Sequence, residues 1–189
     1  MEERGTPKTK GQVLRTFVTC VRQLRGEAVV DAVLARVSPE LAEGLTRGSI
    51  VPGGWYPVAW YSELHRALGE LTGEGLALAR MIGREATKQD FKGVYRFFVI
   101  VLSPESIVVR ANKVFSMFWD TGTARVVEAK KGYAKGEFTG CEGYDAYLWE
   151  DMIGAIEALI EMGGGRDIRS KVLSGGGDST GMVIEHAWT

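Results

Sequence analysis

The chain has 189 residues, 45% of them hydrophobic, and its 23 basic and 24 acidic side chains leave a formal net charge of -1. That is enough apolar material for one substantial core, and the cancelling charges exclude a whole-chain field that would draw in nucleic acid or an acidic membrane surface. The longest apolar run, FFVIVL at 97–102, is far shorter than the roughly 20 residues a membrane span needs.

Residues 1–10 carry charge, Pro and Gly without apolar periodicity and read as a flexible lead-in to a single domain over 11–189. No apolar core with a cleavage site follows them, so a cytoplasmic location is expected. Val13, Leu14, Phe17, Val18, Val21 and Leu24 then recur at one-turn spacing, although VLRTFVTCV is β-branched enough for its first half to be a strand. After Gly26, EAVVDAVLARV is again helical, and SPEL at 38–41 restarts a helix with Ser38 as N-cap and Pro39 in the first turn.

GGWYPVAWYSELHR at 53–66 places Trp55, Tyr56, Trp60 and Tyr61 within seven positions. Pro57 suits a first helical turn, and Tyr61, Leu64, Leu68 and Leu71 continue at 3.6-residue spacing, so VAWYSELHRALGEL is expected as an amphipathic helix broken by TGEG at 72–75. LALARMIGREATKQ and FKGVYRFFVIVL follow, the second apolar nearly all round and so expected as a buried central helix. SPESIVVRANKVFSMFWDTG opens with another Ser-Pro-Glu cap and presents Ile107, Val108, Ala111, Val114, Phe115 and Phe118 along one face.

After Gly122 the period changes. ARVVEAKKGYAKGEFTG reads as a hairpin turning at KKG, YDAYLWEDMIGAIEALIEM as a long helix stopped by GGG at 163–165, and RDIRSKVLS with GMVIEHAWT as a second hairpin through GGGDST. The fold class is therefore α+β. A helical N-terminal half packs on a four-stranded antiparallel sheet made of two hairpins flanking the long helix.

Chemical motifs are sparse. GEGLALA at 73–79 lacks the third glycine and the preceding strand of a dinucleotide fingerprint, and GGGR and GGGD lack the Lys-Ser/Thr pair of a phosphate loop. Cys20 and Cys141 are too few and too far apart for a disulfide framework or a structural zinc site. His65 and His186 are the only histidines, and neither has a partner at metal-ligand spacing. His65 reads as a partly exposed helix residue, and Glu150 and Asp151 as partners for a helix dipole, their carboxylates about 100° apart. No catalytic or metal constellation emerges, so no enzyme and no cofactor are expected.

The aromatics are the remaining signal. Trp55, Tyr56, Trp60, Tyr61, Tyr95, Phe97, Phe98, Phe115, Phe118 and Trp119 crowd the helical half. A solid aromatic core outweighs a ligand cavity about two to one, but a cavity would explain polar-tipped Trp and Tyr where Leu packs more simply. Arg80, Arg84 and Arg96 lie among these positions and either meet an acidic ligand group or sit on solvated helix faces.

Over residues 25–189, the order of WYP before a helix, ARMIGREA, SPES to FWDTG, GEFTG, YLWEDMIGAIEALIEMGG and SGGGDSTGMVIEHAW resembles the heme-nitric-oxide-binding-like and vinyl-reductase-like ligand-sensing superfamily, in particular its heme-less bacterial members common in myxobacteria. The resemblance implies helices enclosing a pocket against a four-stranded sheet, used to sense small molecules and signal to a protein partner. It also implies no heme, because the axial His and the Tyr-x-Ser-x-Arg hairpin motif of the heme branch have no counterpart in ARVVEAKKGYAKGEF, nor do the clustered cysteines of the vinyl-reductase branch. The expected function is a non-catalytic sensory module binding an apolar or mixed-polarity ligand, with Trp55, Tyr56, Trp60, Tyr61, Phe115 and Trp119 lining the pocket and Arg84 as polar anchor. The alternative is a ligand-free interaction module, self-associating through GMVIEHAW as an exposed edge strand.

Overall fold

The computed structural model describes residues 5–91 and 103–189. The chain begins with a short strand, β1 (Lys8–Lys10), followed by α1 (Gly11–Arg25), α2 (Glu27–Leu34) and α3 (Pro39–Thr46). β2 (Trp55–Pro57) leads into α4 (Val58–Thr72) and α5 (Gly75–Asp90). Beyond the gap come α6 (Pro104–Val109), α7 (Ala111–Phe118), β3 (Thr123–Lys130), β4 (Tyr133–Thr139), α8 (Ala146–Met162), β5 (Arg169–Gly175) and β6 (Met182–Ala187). The architecture is α+β, with a helical N-terminal half and a four-stranded antiparallel sheet in the order β3-β4-β6-β5.

One face of that sheet is apolar and buried. Ala134 and Phe138 of β4 alternate with less buried neighbours, as do Met182, Ile184 and His186 of β6, which gives the period of two of a half-covered sheet. Over this face runs α8, whose Leu148, Trp149, Ile153 and Ile160 are almost fully buried. Each such side chain contributes roughly 1.5–3 kcal/mol relative to exposure. Trp149 meets Phe138 edge-on with ring centroids 5.8 Å apart, and its Nε1 donates to the Ser179 carbonyl at 3.0 Å.

The α5–α8 contact brings the helical half onto the sheet layer. A Cβ placed on Gly83 of α5 would collide with the Asp151 carbonyl of α8, and one placed on Gly154 of α8 with the Arg80 carbonyl of α5. Both helices carry the same Met-Ile-Gly triplet, 81–83 and 152–154, so each offers its backbone to the other at the crossing. Glycine inside a helix costs about 0.5–1 kcal/mol relative to alanine, which close backbone approach offsets here. Beside this seam Arg80 pairs with Glu150 at 2.9 Å, and Arg84 with Glu157 at 3.0 Å and Glu161 at 2.8 Å.

Several expectations change in the structure. Residues 13–24 are helical throughout, so the strand alternative for their first half falls away. The stretch 1–10 contains β1, which pairs with β2 and is tied to the end of α7, the Thr9 hydroxyl donating to the Phe118 carbonyl at 3.1 Å. Ser38 occupies the N-cap position of α3, but its hydroxyl makes no capping hydrogen bond. The helix expected over the SPES segment is divided at Arg110, next to the β-branched run Ile107 to Val109, a weak helix former. GMVIEHAW is not an edge: β6 is paired on both sides, and the outer strands are β3 and β5. The central helix expected over FKGVYRFFVIVL lies outside the described residues beyond Phe91.

A chamber between the helices and the sheet

Where α5, α7 and α8 meet the sheet they leave a chamber of about 110 Å³. α8 supplies Met152, Ala155, Ile156 and Leu159, the sheet supplies Ala124 and Phe138, and α7 with the residue after it supplies Phe115, Phe118 and Trp119. Val13 of α1, with Gly83 and Ala86 of α5, closes further sides. The rings stand at packing distance, Phe115 to Trp119 with centroids 6.3 Å apart and Phe115 to Phe138 5.8 Å apart. A smaller cavity of about 50 Å³ adjoins it between α8 and the sheet, sharing Ala124, Phe138, Ile156 and Leu159. The half-burial of Ile156 and Leu159 reflects their place on these cavity walls.

The polar groups of the chamber gather on one side: Tyr61, Thr87, Asp90 and Asp151. Tyr61 donates its hydroxyl to Asp151 Oδ1 at 2.9 Å, and His65 Nε2 lies 3.3 Å from the same oxygen. Burial first, and then the Asp151 charge, hold the Tyr61 phenol well above its ordinary range. Asp90 accepts from the Thr16 hydroxyl at 2.7 Å and from Gln12 Nε2 at 2.9 Å, both on Oδ1. Burial raises the Asp90 carboxyl above its usual value against the pull of those two hydrogen bonds, and the charge of Asp151 adds to the rise.

His65 is buried rather than partly exposed, because a position one turn after Tyr61 shares the inward stripe of α4; its ring stands edge-on to Tyr61 and Phe17 at 4.6 and 4.8 Å. Asp151 likewise departs from the helix-dipole role expected of it, turning inward to Tyr61 while Glu150 turns outward to Arg80. The angular separation of the two carboxylates is what allows this division of labour. A second buried chain of polar groups sits at the adjoining cavity. Ser170 donates to Glu157 Oε1 at 2.7 Å and so accepts from His186 Nδ1 at 2.9 Å, leaving the buried His186 Nε2 without a hydrogen bond among the described residues.

The seven residues singled out from the sequence divide between two places. Tyr61, Phe115 and Trp119 line the chamber. Trp55, Tyr56 and Trp60 do not. Tyr56 and Trp60 stack at 5.8 Å beside the β1–β2 pair, the Tyr56 hydroxyl accepts from the Val51 amide at 2.9 Å, and Trp55 lies 40% exposed under the Lys10 ammonium at 3.8 Å. Arg84 is outside the lining, held by two carboxylates of α8. Asp90, Asp151 and Phe138 were missed. Asp151 had a legible signal, a carboxylate inside the apolar period of a long helix, whereas Phe138 comes to the chamber only through strand register.

Neither a family model nor a curated protein sequence matches the chain. Solved structures do match. The Fe(II) unliganded H-NOX protein from K. algicida is 14% identical with a TM-score of 0.71, over 95% of this chain and 96% of that one. A point mutant of T. tengcongensis H-NOX is 17% identical with a TM-score of 0.72, over 95% and 97%. An oxygen-binding H-NOX domain related to soluble guanylate cyclases is 17% identical with a TM-score of 0.70, over 95% of each. At these identities the likeness is one of fold, and the chain has the H-NOX fold.

Because that fold carries heme in some of its examples, the donor set of this chain bears on function. The sequence holds two histidines, and neither lines the chamber. Cys20 and Cys141 are also outside its lining, and burial pushes both thiols up to about 12. Tyr61 reaches the chamber with its hydroxyl proton committed to Asp151. Among the described residues no group of three or more His, Cys, Asp and Glu could hold a metal, and no helix is long and apolar enough to cross a membrane. A chamber of about 110 Å³ lies below the roughly 300–1,000 Å³ of sites for drug-sized ligands, and porphyrin is larger than many of those.

Proposed function

We propose that residues 11–189 form a non-catalytic sensory module that works without heme, taking a small apolar or mixed-polarity ligand into the chamber and passing the change to a protein partner in the cytoplasm. The observation that carries this reading is the chamber itself, an apolar, aromatic-walled space at the junction of the two halves, with its polar groups gathered on one side. A ligand there touches α5, α7, α8 and the sheet together, so its binding energy can bias how the halves sit. The H-NOX fold supports the sensory part of the reading. The small volume and the lack of a histidine on the chamber wall support the heme-free part.

Native mass spectrometry of the purified protein, with and without added hemin, tests this. The expected result is no retained heme, no Soret band after hemin is added and removed, and saturable adducts with small apolar molecules. A stoichiometric heme adduct with a shifted Soret band refutes the heme-free reading. Failure of every small apolar molecule to bind refutes the ligand reading.

A further inference from the structure

The polar side of the chamber is made almost wholly of acceptors. Asp90 and Asp151 each have one oxygen held, Oδ1 in both cases, while neither Oδ2 has a hydrogen bond among the described residues. The Tyr61 hydroxyl donates its hydrogen bond to Asp151 and offers the chamber only lone pairs. Among the described residues of the lining, Thr87 carries the one hydroxyl able to donate.

No Lys or Arg among the described residues lines the space. The cationic side chains of α5 near it are held on the α8 side, Arg80 by Glu150, Arg84 by Glu157 and Glu161, and Lys88 by Glu161 at 3.1 Å. Two carboxylates thus face an apolar cavity with one imidazole, His65, beside them, and His65 reaches only the oxygen that Tyr61 already holds. A carboxylate oxygen on the chamber wall without a protein donor is open to a donor that enters the space, and a charged donor adds a charge-assisted hydrogen bond there. The rest of the wall is aliphatic side chains together with the rings of Phe115, Phe118, Trp119 and Phe138, and aromatic rings attract cations as well as hydrocarbon.

We infer that the ligand of this chamber is a small protonated amine with an aromatic or branched apolar body, its ammonium donating to the free oxygens of Asp90 and Asp151 and its body lying among the rings of Phe115, Trp119 and Phe138. This rests on the ligand-sensing reading above and names the chemical class of what is sensed. The charge balance agrees: burial and the neighbouring Asp151 charge both raise the Asp90 carboxyl, and an ammonium placed between the two carboxylates offsets the charge part of that rise. The volume bounds the body: a cavity of about 150 Å³ accepts benzene, and the chamber of about 110 Å³ reaches that size only with the adjoining cavity of about 50 Å³ that shares four of its wall residues.

The test uses two molecules of nearly the same shape, benzylamine and benzyl alcohol, titrated into the full chain at neutral pH and followed by tryptophan fluorescence, Trp119 being on the wall. Benzylamine is expected to bind at least about tenfold more tightly than the alcohol. In Asp90→Asn and Asp151→Asn, each first shown to melt cooperatively, that preference, read as the ratio of the two affinities, is expected to shrink to within about threefold. Equal affinity for the two molecules in the wild-type chain overturns the amine assignment and leaves the sensory reading standing. A preference that survives both substitutions also overturns it. No saturable binding of either molecule overturns the amine assignment. If neither variant folds, the wild-type preference alone decides.

Discussion

His186 shows how a single side chain makes the fold sensitive to acid. Burial, opposed by Glu157 and reinforced by Arg80, lowers its pKa from 6.5 to about 4. In the unfolded chain the same ring takes up its proton near 6.5, so between pH 6.5 and 4 the unfolded state binds more protons and stability falls as pH drops. Above that window the contribution is complete, and its full size is about 3 kcal/mol. Asp90 has the opposite sign. Its raised carboxyl binds a proton more readily in the folded chain, so over its own acid range it favours the fold as pH falls. Urea unfolding at pH 7 and pH 4.5 is expected to show a stability loss that His186→Gln largely removes. An equal loss in the variant would assign the acid sensitivity to other groups. None of this was visible in the sequence, where His186 is one histidine on a predicted strand; its shift depends on burial and on Glu157 and Arg80, which arrive from α8 and α5.

At the scale of elements, the crossing of α5 and α8 is the joint on which the chamber depends. Gly83→Ala or Gly154→Ala forces a methyl group into the opposing backbone, which cannot swing aside as a flexible side chain does. Each substitution is expected to cost about 1–3 kcal/mol in chemical denaturation, the range for inserting a methylene into a close-packed interior, despite alanine's better helix propensity. A stabilised variant would mean the helices can separate at this point. The elements themselves were legible because their periods are: 3.6-residue stripes through α1, α4 and α8, and the alternation of β4 and β6 about their turns. The glycine joint was written in the repeated Met-Ile-Gly triplet, but recognising it requires knowing that the two helices cross there. Strand order was not legible from hairpin propensity, and β6 proved central because both hairpins pair through it.

For the molecule as a whole, the helical half and the sheet enclose a space instead of closing on each other. The aromatic richness that made a cavity conceivable splits by location. The cluster at 55–60 braces the N-terminal strand pair, and the one at 115–119 forms the wall. Sequence spacing separates these only for Tyr61, whose helical stripe points inward; the others depend on how β1 and α7 dock, a long-range contact with no local signature. A chamber kept open in an otherwise packed interior forgoes dispersion contacts that extra methyl groups would supply, and a ligand can restore them.

The central claim is that this space receives a small molecule, and the direct measurement is methyl NMR of the full chain titrated with benzene, an apolar probe whose response does not depend on the amine assignment. The account predicts saturable shifts concentrated on Val13, Val114, Ile156 and Leu159, methyl-bearing residues of the wall, with little change at the exposed Val51 and Val127. Shifts that rise linearly without saturating, or that spread over the exposed methyls and leave the wall unmoved, would contradict it.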